Sequence, residues 1–163
     1  MEKEIKRLII ASDSHKHSDK LSLINMYEDD NDIKDITYIL AGDSEDEEDN
    51  IRPFISVRGN MDFYPYPIKL ELVIYNHRIL IYHGHIRCNN NNCDVVIQGH
   101  THVSKNEMID KVLYLNPGSV TYPRRDSNSG FLEVDFYPDG KINVNYVTML
   151  EVITYFRSKN NGR

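Results

Sequence analysis

The chain has too few cysteines for a disulfide framework. Cys88 and Cys93 are the only two in 163 residues, and Asn89–Asn92 separate them. Their spacing is wider than that of a zinc knuckle, and no second pair follows. They read as free thiols on a polar loop, ahead of the alternative of a small zinc site shared with His83 and His85. Long apolar runs are also missing: no stretch approaches the roughly 20 residues needed to cross a bilayer. Met1-Glu2-Lys3-Glu4 leads straight into a strand without an apolar leader, so a cytoplasmic protein is expected and no membrane partner. Positive charge is scarce. A net charge of −6 argues against a general binder of nucleic-acid backbone, which needs a basic face. It does not exclude a small phosphate ester held by metal ions, because the ions supply the local positive charge.

No internal repeat and no linker interrupts the chain. Residues 1–157 are expected to form one domain, with Ser158–Arg163 as a frayed, disordered tail. Composition is that of an ordinary globular protein, with 40% hydrophobic and 27% charged residues. Leu8–Ser12, Ile36–Ala41 and Phe54–Val57 read as buried strands. Asp19–Asn31 reads as a helix, with Ser18 as N-cap and Leu21, Ile24 and Tyr27 on one face. Lys69–Tyr75 and Arg78–Tyr82 read as a hairpin around Asn76-His77. Asp94–Gln98 and Val112–Leu115 are further strands. Gly130–Phe136 and Lys141–Val147 alternate with a period of two around Tyr137-Pro138-Asp139-Gly140, a strong turn. Glu151–Phe156 reads as one more extended stretch. The front half is therefore α/β and the back half mostly antiparallel β, which suits two facing sheets.

What is abundant is a repeated local pattern. Five apolar runs each end in residues that ligate metals. Leu8–Ser12 leads into Asp13-Ser14-His15, and Tyr38–Ala41 into Gly42-Asp43. Phe54–Arg58 leads into Gly59-Asn60-Met61-Asp62, Ile79–Tyr82 into His83-Gly84-His85, and Val95–Gln98 into Gly99-His100-Thr101-His102. In open α/β sheets, sites gather beyond the carboxyl ends of the strands. Carboxylate oxygens and imidazole nitrogens suit hard or borderline divalent ions. Two ligands separated by one residue point the same way in extended chain, so Asp13 and His15, or His100 and His102, could act together. Ser44–Asn50 carries five consecutive acids, Glu45 to Asp49; a solvated loop or helix start is the simpler reading, ahead of metal attraction or repulsion of anions.

Asp13-x-His15, Gly42-Asp43, Gly59-Asn60-x-Asp62, His83 and Gly99-His100-x-His102, in that order, resemble the calcineurin-like metallophosphoesterase superfamily. Asn116-Pro117-Gly118-Ser119 and the small size make the chain similar to its small bacterial and archaeal phosphodiesterase group. The resemblance runs from Leu8 to about Val147. It implies a four-layer α/β/β/α sandwich of two facing mixed sheets, here with few, short outer helices. It also implies two divalent ions, Mn²⁺, Ni²⁺, Fe²⁺ or Zn²⁺, with Mn²⁺ favoured. One ion would take Asp13, His15, Asp43 and His102; the other would take Asp43, Asn60, His83 and His100, with Asp43 between them. A metal-bridging hydroxide would then attack phosphorus, making the chain a phosphodiesterase acting on a small phosphate ester. A phosphomonoesterase is an alternative. So is a scaffold, since the eukaryotic retromer subunit looks like the same fold with a degraded metal site. A homo-oligomer is left open.

The chain departs from the family where many members carry His between Asn60 and Asp62. Here Met61 stands, which cannot donate a proton. His85 and His17 are candidates for the missing acid, although a solvated loop histidine is the simpler reading of each. Asp62 loses its usual partner and is expected either to act in the site or to hydrogen-bond its loop. Lys16 stands where many relatives have Gly. Arg124, Arg125 and Arg58 lie close to motif residues; Arg124 is the candidate for contacting substrate phosphate, against a surface role.

Overall fold

The computed structural model describes residues 4–161. The chain runs β1 (Lys6–Ala11), α1 (Ser18–Asp29), β2 (Asp35–Leu40), the short α2 (Glu48–Ile51) and β3 (Ile55–Ser56). It continues through β4 (Lys69–Ile74), β5 (His77–Tyr82), β6 (Val95–Ile97), β7 (Ser104–Ile109) and β8 (Val112–Pro117). It ends with β9 (Gly130–Phe136), β10 (Ile142–Thr148) and α3 (Met149–Asn161). Two five-stranded mixed sheets result, ordered β10-β9-β1-β2-β3 and β4-β5-β6-β8-β7.

Side-chain alternation explains why the strands read as unbroken apolar runs. In β1, Leu8 and Ile10 face the second sheet and meet Ile79, Ile81, Val95 and Ile97. Ile9 and Ala11 face the other way, onto Leu21 and Ile24 of α1 and Met149 and Val152 of α3. A strand covered on both faces needs apolar residues at every position. Each fully buried Ile or Leu stabilises the fold by roughly 1.5–3 kcal/mol. The outer face of the second sheet is different. Leu80, Tyr82 and Val96 pack beside Val112 and Tyr114 of β8 in the same sheet and are covered by Cys88 and Cys93 from the connection between β5 and β6. Among the described residues the layer there is loop, not helix, and both cysteines are free.

The α/β class and the facing mixed sheets agree with the sequence reading, and several local readings need correction. The β4–β5 turn is Tyr75-Asn76, one residue earlier than Asn76-His77, and both residues have positive φ (45° and 68°). This is the pattern of a tight hairpin whose twist matches its strands. β7 escaped notice because all six of its residues are exposed and mostly polar. α1 starts at Ser18, with His17 at the cap position and no side-chain cap bond.

The stretch Glu151–Phe156, expected to be extended, lies inside α3. Met149, Val152 and Phe156 pack inward at helical spacing. Thr148 and Glu151 close a capping box: Glu151 N–H donates to Thr148 Oγ1 at 3.0 Å, and Thr148 N–H to Glu151 Oε2 at 3.3 Å. The tail expected to be disordered from Ser158 is helical to Asn161; residues 162 and 163 lie outside the described residues.

The amino end of β1 carries a buried charge cluster. Arg7 holds Asp135 by two bonds, at 2.7 and 2.9 Å. Its Nη1 is shared between Glu28 at 2.9 Å and Glu133 at 3.4 Å. The Arg7 contact alone would keep Glu28 ionised. One guanidinium facing three carboxylates cannot do that for all of them. Burial and the neighbouring Glu133 outweigh Arg7 and push the Glu28 carboxyl up to about 8.

Candidate metal centre

All five motif loops converge at the carboxyl end of the parallel strands. Asp13 follows β1, Asp43 follows β2, Asn60 follows β3, His83 follows β5, and His100 and His102 follow β6. Asp13 is fully buried, and its Oδ1 has no hydrogen-bond partner. His102 Nε2 lies 3.3 Å from that oxygen, and His15 Nε2 and His83 Nε2 each lie 3.8 Å away. His83 Nε2 is also 3.2 Å from Asp43 Oδ2 and 3.0 Å from Asn60 Oδ1. His100 Nδ1 completes the set, 3.1 Å from Asn60 Oδ1. Two groups have ligand atoms close enough to share an ion: Asp13, His15 and His102, and Asp13, Asp43 and His83. They share Asp13, whereas the family resemblance implies Asp43 between the ions.

The imidazole orientations decide what the centre can hold. His83 Nδ1–H donates to the Ala41 carbonyl and His102 Nδ1–H to the Tyr122 carbonyl, both at 2.7 Å. His15 Nδ1 lies 2.7 Å from Glu45 Oε2. All three rings therefore turn Nε2 towards the Asp13 oxygen. In the neutral rings this sets lone pairs against lone pairs, an arrangement that a shared cation relieves. The orphaned oxygen, the fixed tautomers and the mixed oxygen and nitrogen donors fit divalent ions. The same field acts on protons. Burial opposes the charged form of His83, but Asp43 and Asp13 outweigh it and raise its pKa. The Asp13 carboxylate, 3.3 Å from Nε2, favours the charged form of His102 and raises its pKa against burial. Burial works to raise Asp43, yet His83 and the Met61 N–H bring it below the usual range.

The backbone bringing these groups together is not extended. Asp13, His15, Asp43, His100 and His102 have φ of 56°, 45°, 59°, 70° and 61°. Lys16 and Glu45, in the same loops, are also left-handed. Each such residue costs on the order of 1 kcal/mol, and such strain clusters at functional sites. Left-handed turns after the strands thus aim Asp13 with His15, and His100 with His102, where pleat alternation was expected to do so. Two glycines make room. A Cβ on Gly59 would collide with Asp43, and one on Gly99 with Ser12 Oγ and Asp13 Oδ2.

The remaining candidates fall into place by geometry. Asp62 is buried, and its carboxylate accepts three backbone N–H groups, those of Gly59, Asp43 and Glu45, at 2.7–2.9 Å. It ties the Asp43 loop to the Asn60 loop, with both of its oxygens engaged by backbone N–H groups. His85 lies beside His83 and His100, with ring centroids 5.4 and 6.3 Å away. Burial and those two rings lower its pKa, which works against an acid role at neutral pH. His17 sits outside, against the Tyr122 hydroxyl at 3.2 Å. Arg58 is exposed. Arg124 lines a cleft of about 610 Å³ over the centre, with Lys16, Met61 and Tyr122.

Glu45 was read in the sequence only as one of five acids, a solvated loop or helix start ahead of metal attraction. Its place two after Asp43, opposite a ligand-type histidine, was the available signal; the run of acids around it concealed that signal. Asn116 and Ser119 of the Asn-Pro-Gly-Ser loop serve the backbone. Asn116 donates to the Gly99 carbonyl at 2.9 Å and Ser119 to the Asp13 carbonyl at 2.8 Å, fixing two of the ligand loops.

An acid- and histidine-lined cleft at the strand ends of a double-sheet α/β sandwich defines a metallophosphoesterase-type site. Residues 7–137 match the model of the calcineurin-like phosphoesterase superfamily domain, and the chain belongs to that family. It is 32% identical over 133 residues to a Bacillus subtilis (strain 168) protein named "Probable metallophosphoesterase YsnB", covering 72% of this chain and 76% of that one. The phosphodiesterase YfcE of Escherichia coli K12 is 29% identical over 97 residues, covering 50% of this chain and 52% of that one. A crystal structure of a Streptococcus pneumoniae TIGR4 protein, described as a predicted phosphoesterase, superposes with a TM-score of 0.74 at 28% identity, covering 89% and 90% of the two chains. Among the described residues no helix is long and apolar enough to cross a membrane.

Proposed function

We propose that this chain is a two-metal phosphodiesterase acting on a small phosphate ester in the cytoplasm. The observation that carries the reading is the orphaned Asp13 Oδ1 with three imidazole Nε2 atoms turned towards it. Asp13, His15, Asp43 and His102 would hold one ion and Asp43, Asn60, His83 and His100 the other, with Mn²⁺ the favoured metal. When bound, the ions supply charge neutralisation at the phosphoryl oxygens and lower the pKa of water so that hydroxide is available near neutral pH.

The protein's own residues do the rest. Glu45, Ala41 and Tyr122 fix the tautomers of His15, His83 and His102, so each keeps one nitrogen free for a ligand. Asp62 holds two ligand loops in register. Arg124 reaches the cleft with a guanidinium that can grip a phosphoryl oxygen pair. Met61, 54% exposed, offers no proton to a leaving group. The site is therefore suited to esters whose leaving group departs without protonation. A diester is favoured over a monoester by likeness to YfcE. The scaffold reading is disfavoured because all seven ligand positions keep ligand-capable side chains.

The test is to strip the protein of metal, add Mn²⁺, and assay bis(4-nitrophenyl) phosphate beside 4-nitrophenyl phosphate. Mn²⁺-dependent hydrolysis of the diester, lost in His83→Ala, is expected. No hydrolysis with any of the four metals, or full activity in His83→Ala, overturns the reading.

A further inference from the structure

The cleft does not end at Arg124. The same residue also lines a second cavity of about 500 Å³, so the two cavities adjoin at Arg124. The second cavity also contains Lys105, Arg125, Glu107 and Thr101. Three cations thus meet one carboxylate, in a protein whose net charge is −6. Among the described residues no carboxylate lies in ion-pair range of Arg124 or Arg125, whereas Lys6, Arg7, Arg52, Lys69 and Lys159 all have such partners. Lys105 is held over the Tyr114 ring, 5.5 Å from its centre.

The loop is anchored to the metal centre. Arg124 N–H donates to the His102 carbonyl at 2.9 Å, and Ser127 Oγ accepts from Ser104 N–H at 2.8 Å. Arg125 takes a left-handed backbone, φ 55°, in this anchored turn. The cleft over the centre carries Glu45, followed in sequence by four more acids, together with Lys16, the neighbour of His15. The second cavity, with three cations and one carboxylate, is the part of this surface where a second anion on a substrate is favoured.

We infer that the groove of Lys105, Arg124 and Arg125 is a subsite for a second phosphate, carried on one ester arm of a phosphodiester whose scissile phosphate sits at the metal centre. This rests on the proposed two-metal reading and deepens it by naming the substrate class. The fork of Arg125 matches phosphate oxygens two at a time, and Lys105 adds a point charge. Screening by salt should weaken the preference, since the groove is open to solvent.

Two esters with the same leaving group separate the effect: thymidine 5′-(4-nitrophenyl phosphate) and its 3′-phosphorylated counterpart, assayed with protein in Mn²⁺ buffer. The phosphorylated ester should show about tenfold higher kcat/KM, mostly through KM. In the Arg125→Gln, Lys105→Gln double variant the two esters should fall within about twofold, and the rate on the unphosphorylated ester should hold. Arg125→Glu should reverse the preference. Equal rates in the unsubstituted protein, or an undiminished preference in the double variant, overturn the subsite. If neither ester is cleaved, the two-metal phosphodiesterase reading fails by itself. Calorimetric binding of thymidine 3′,5′-bisphosphate against thymidine 5′-monophosphate then judges the subsite: a difference of about tenfold that vanishes in the double variant supports it, and equal affinities overturn it.

Discussion

Glu45 Oε2 lies 2.7 Å from Nδ1 of His15, and both residues take left-handed backbone conformations. The carboxylate fixes the ring so that Nε2 turns towards Asp13 and His102. Outer partners of this kind typically contribute about 10–100-fold to metal affinity. Glu45→Ala should therefore weaken Mn²⁺ binding by about tenfold with the fold intact, and Glu45→Gln should recover part of it. Titration calorimetry on metal-stripped protein measures this. Unchanged affinity in Glu45→Ala would show the contact to be incidental.

Asp62 predicts a loss of stability. Removing its carboxylate leaves three backbone N–H groups without their partner. Asp62→Ala should cost about 3 kcal/mol or more in urea unfolding. An Asp62→Ala protein as stable as the parent would return Asp62 to the list of residues free to act on substrate.

Met61 predicts a dependence on the leaving group. With no proton donor in its place, the protein should cleave alkyl esters far more slowly than nitrophenyl esters. Met61→His should narrow that gap, raising the rate on the alkyl ester more than on the nitrophenyl ester. Equal gains on both would mean that His acts on something other than the leaving group.

The Glu28 cluster predicts a pH dependence of stability unrelated to catalysis. The folded protein holds the Glu28 proton up to about 8, against 4.5 for the free group. The folded state thus binds more protons than the unfolded state between these values. The stability from this group is complete below 4.5 and declines as pH rises to about 8, by up to about 1.4 kcal/mol per pH unit. Glu28→Gln keeps the neutral form. Its advantage over the parent should grow across this window and level off above it. A constant difference across the window would mean that Glu28 is ionised in the folded state.

The sequence shows the candidate ligands plainly because each follows an apolar run, and a strand buried on both faces is the clearest run a chain can present. What it hides has physical causes. Thr148-Met149-Leu150-Glu151 carries a capping box, but the β-branched and aromatic residues after it imitate a strand. β7 is exposed along its whole length and opens with four polar residues, so no apolar alternation marks it. The left-handed residues in these turns are Asp13 and His100 themselves and not glycines, so nothing announces them. Glu45 lies in a run of acids of which Glu47, Glu48 and Asp49 are exposed. For Asp62 the sequence left two roles open, one in the site and one in holding its loop, and the three backbone bonds give it the second.

The most direct test is to count ions. Metal-stripped protein titrated with Mn²⁺ and analysed for bound metal should hold two ions per chain, and His102→Ala and His83→Ala should each lose affinity at one of them. A parent protein that binds no divalent metal, or a variant lacking both His83 and His102 that still binds two, would contradict the account.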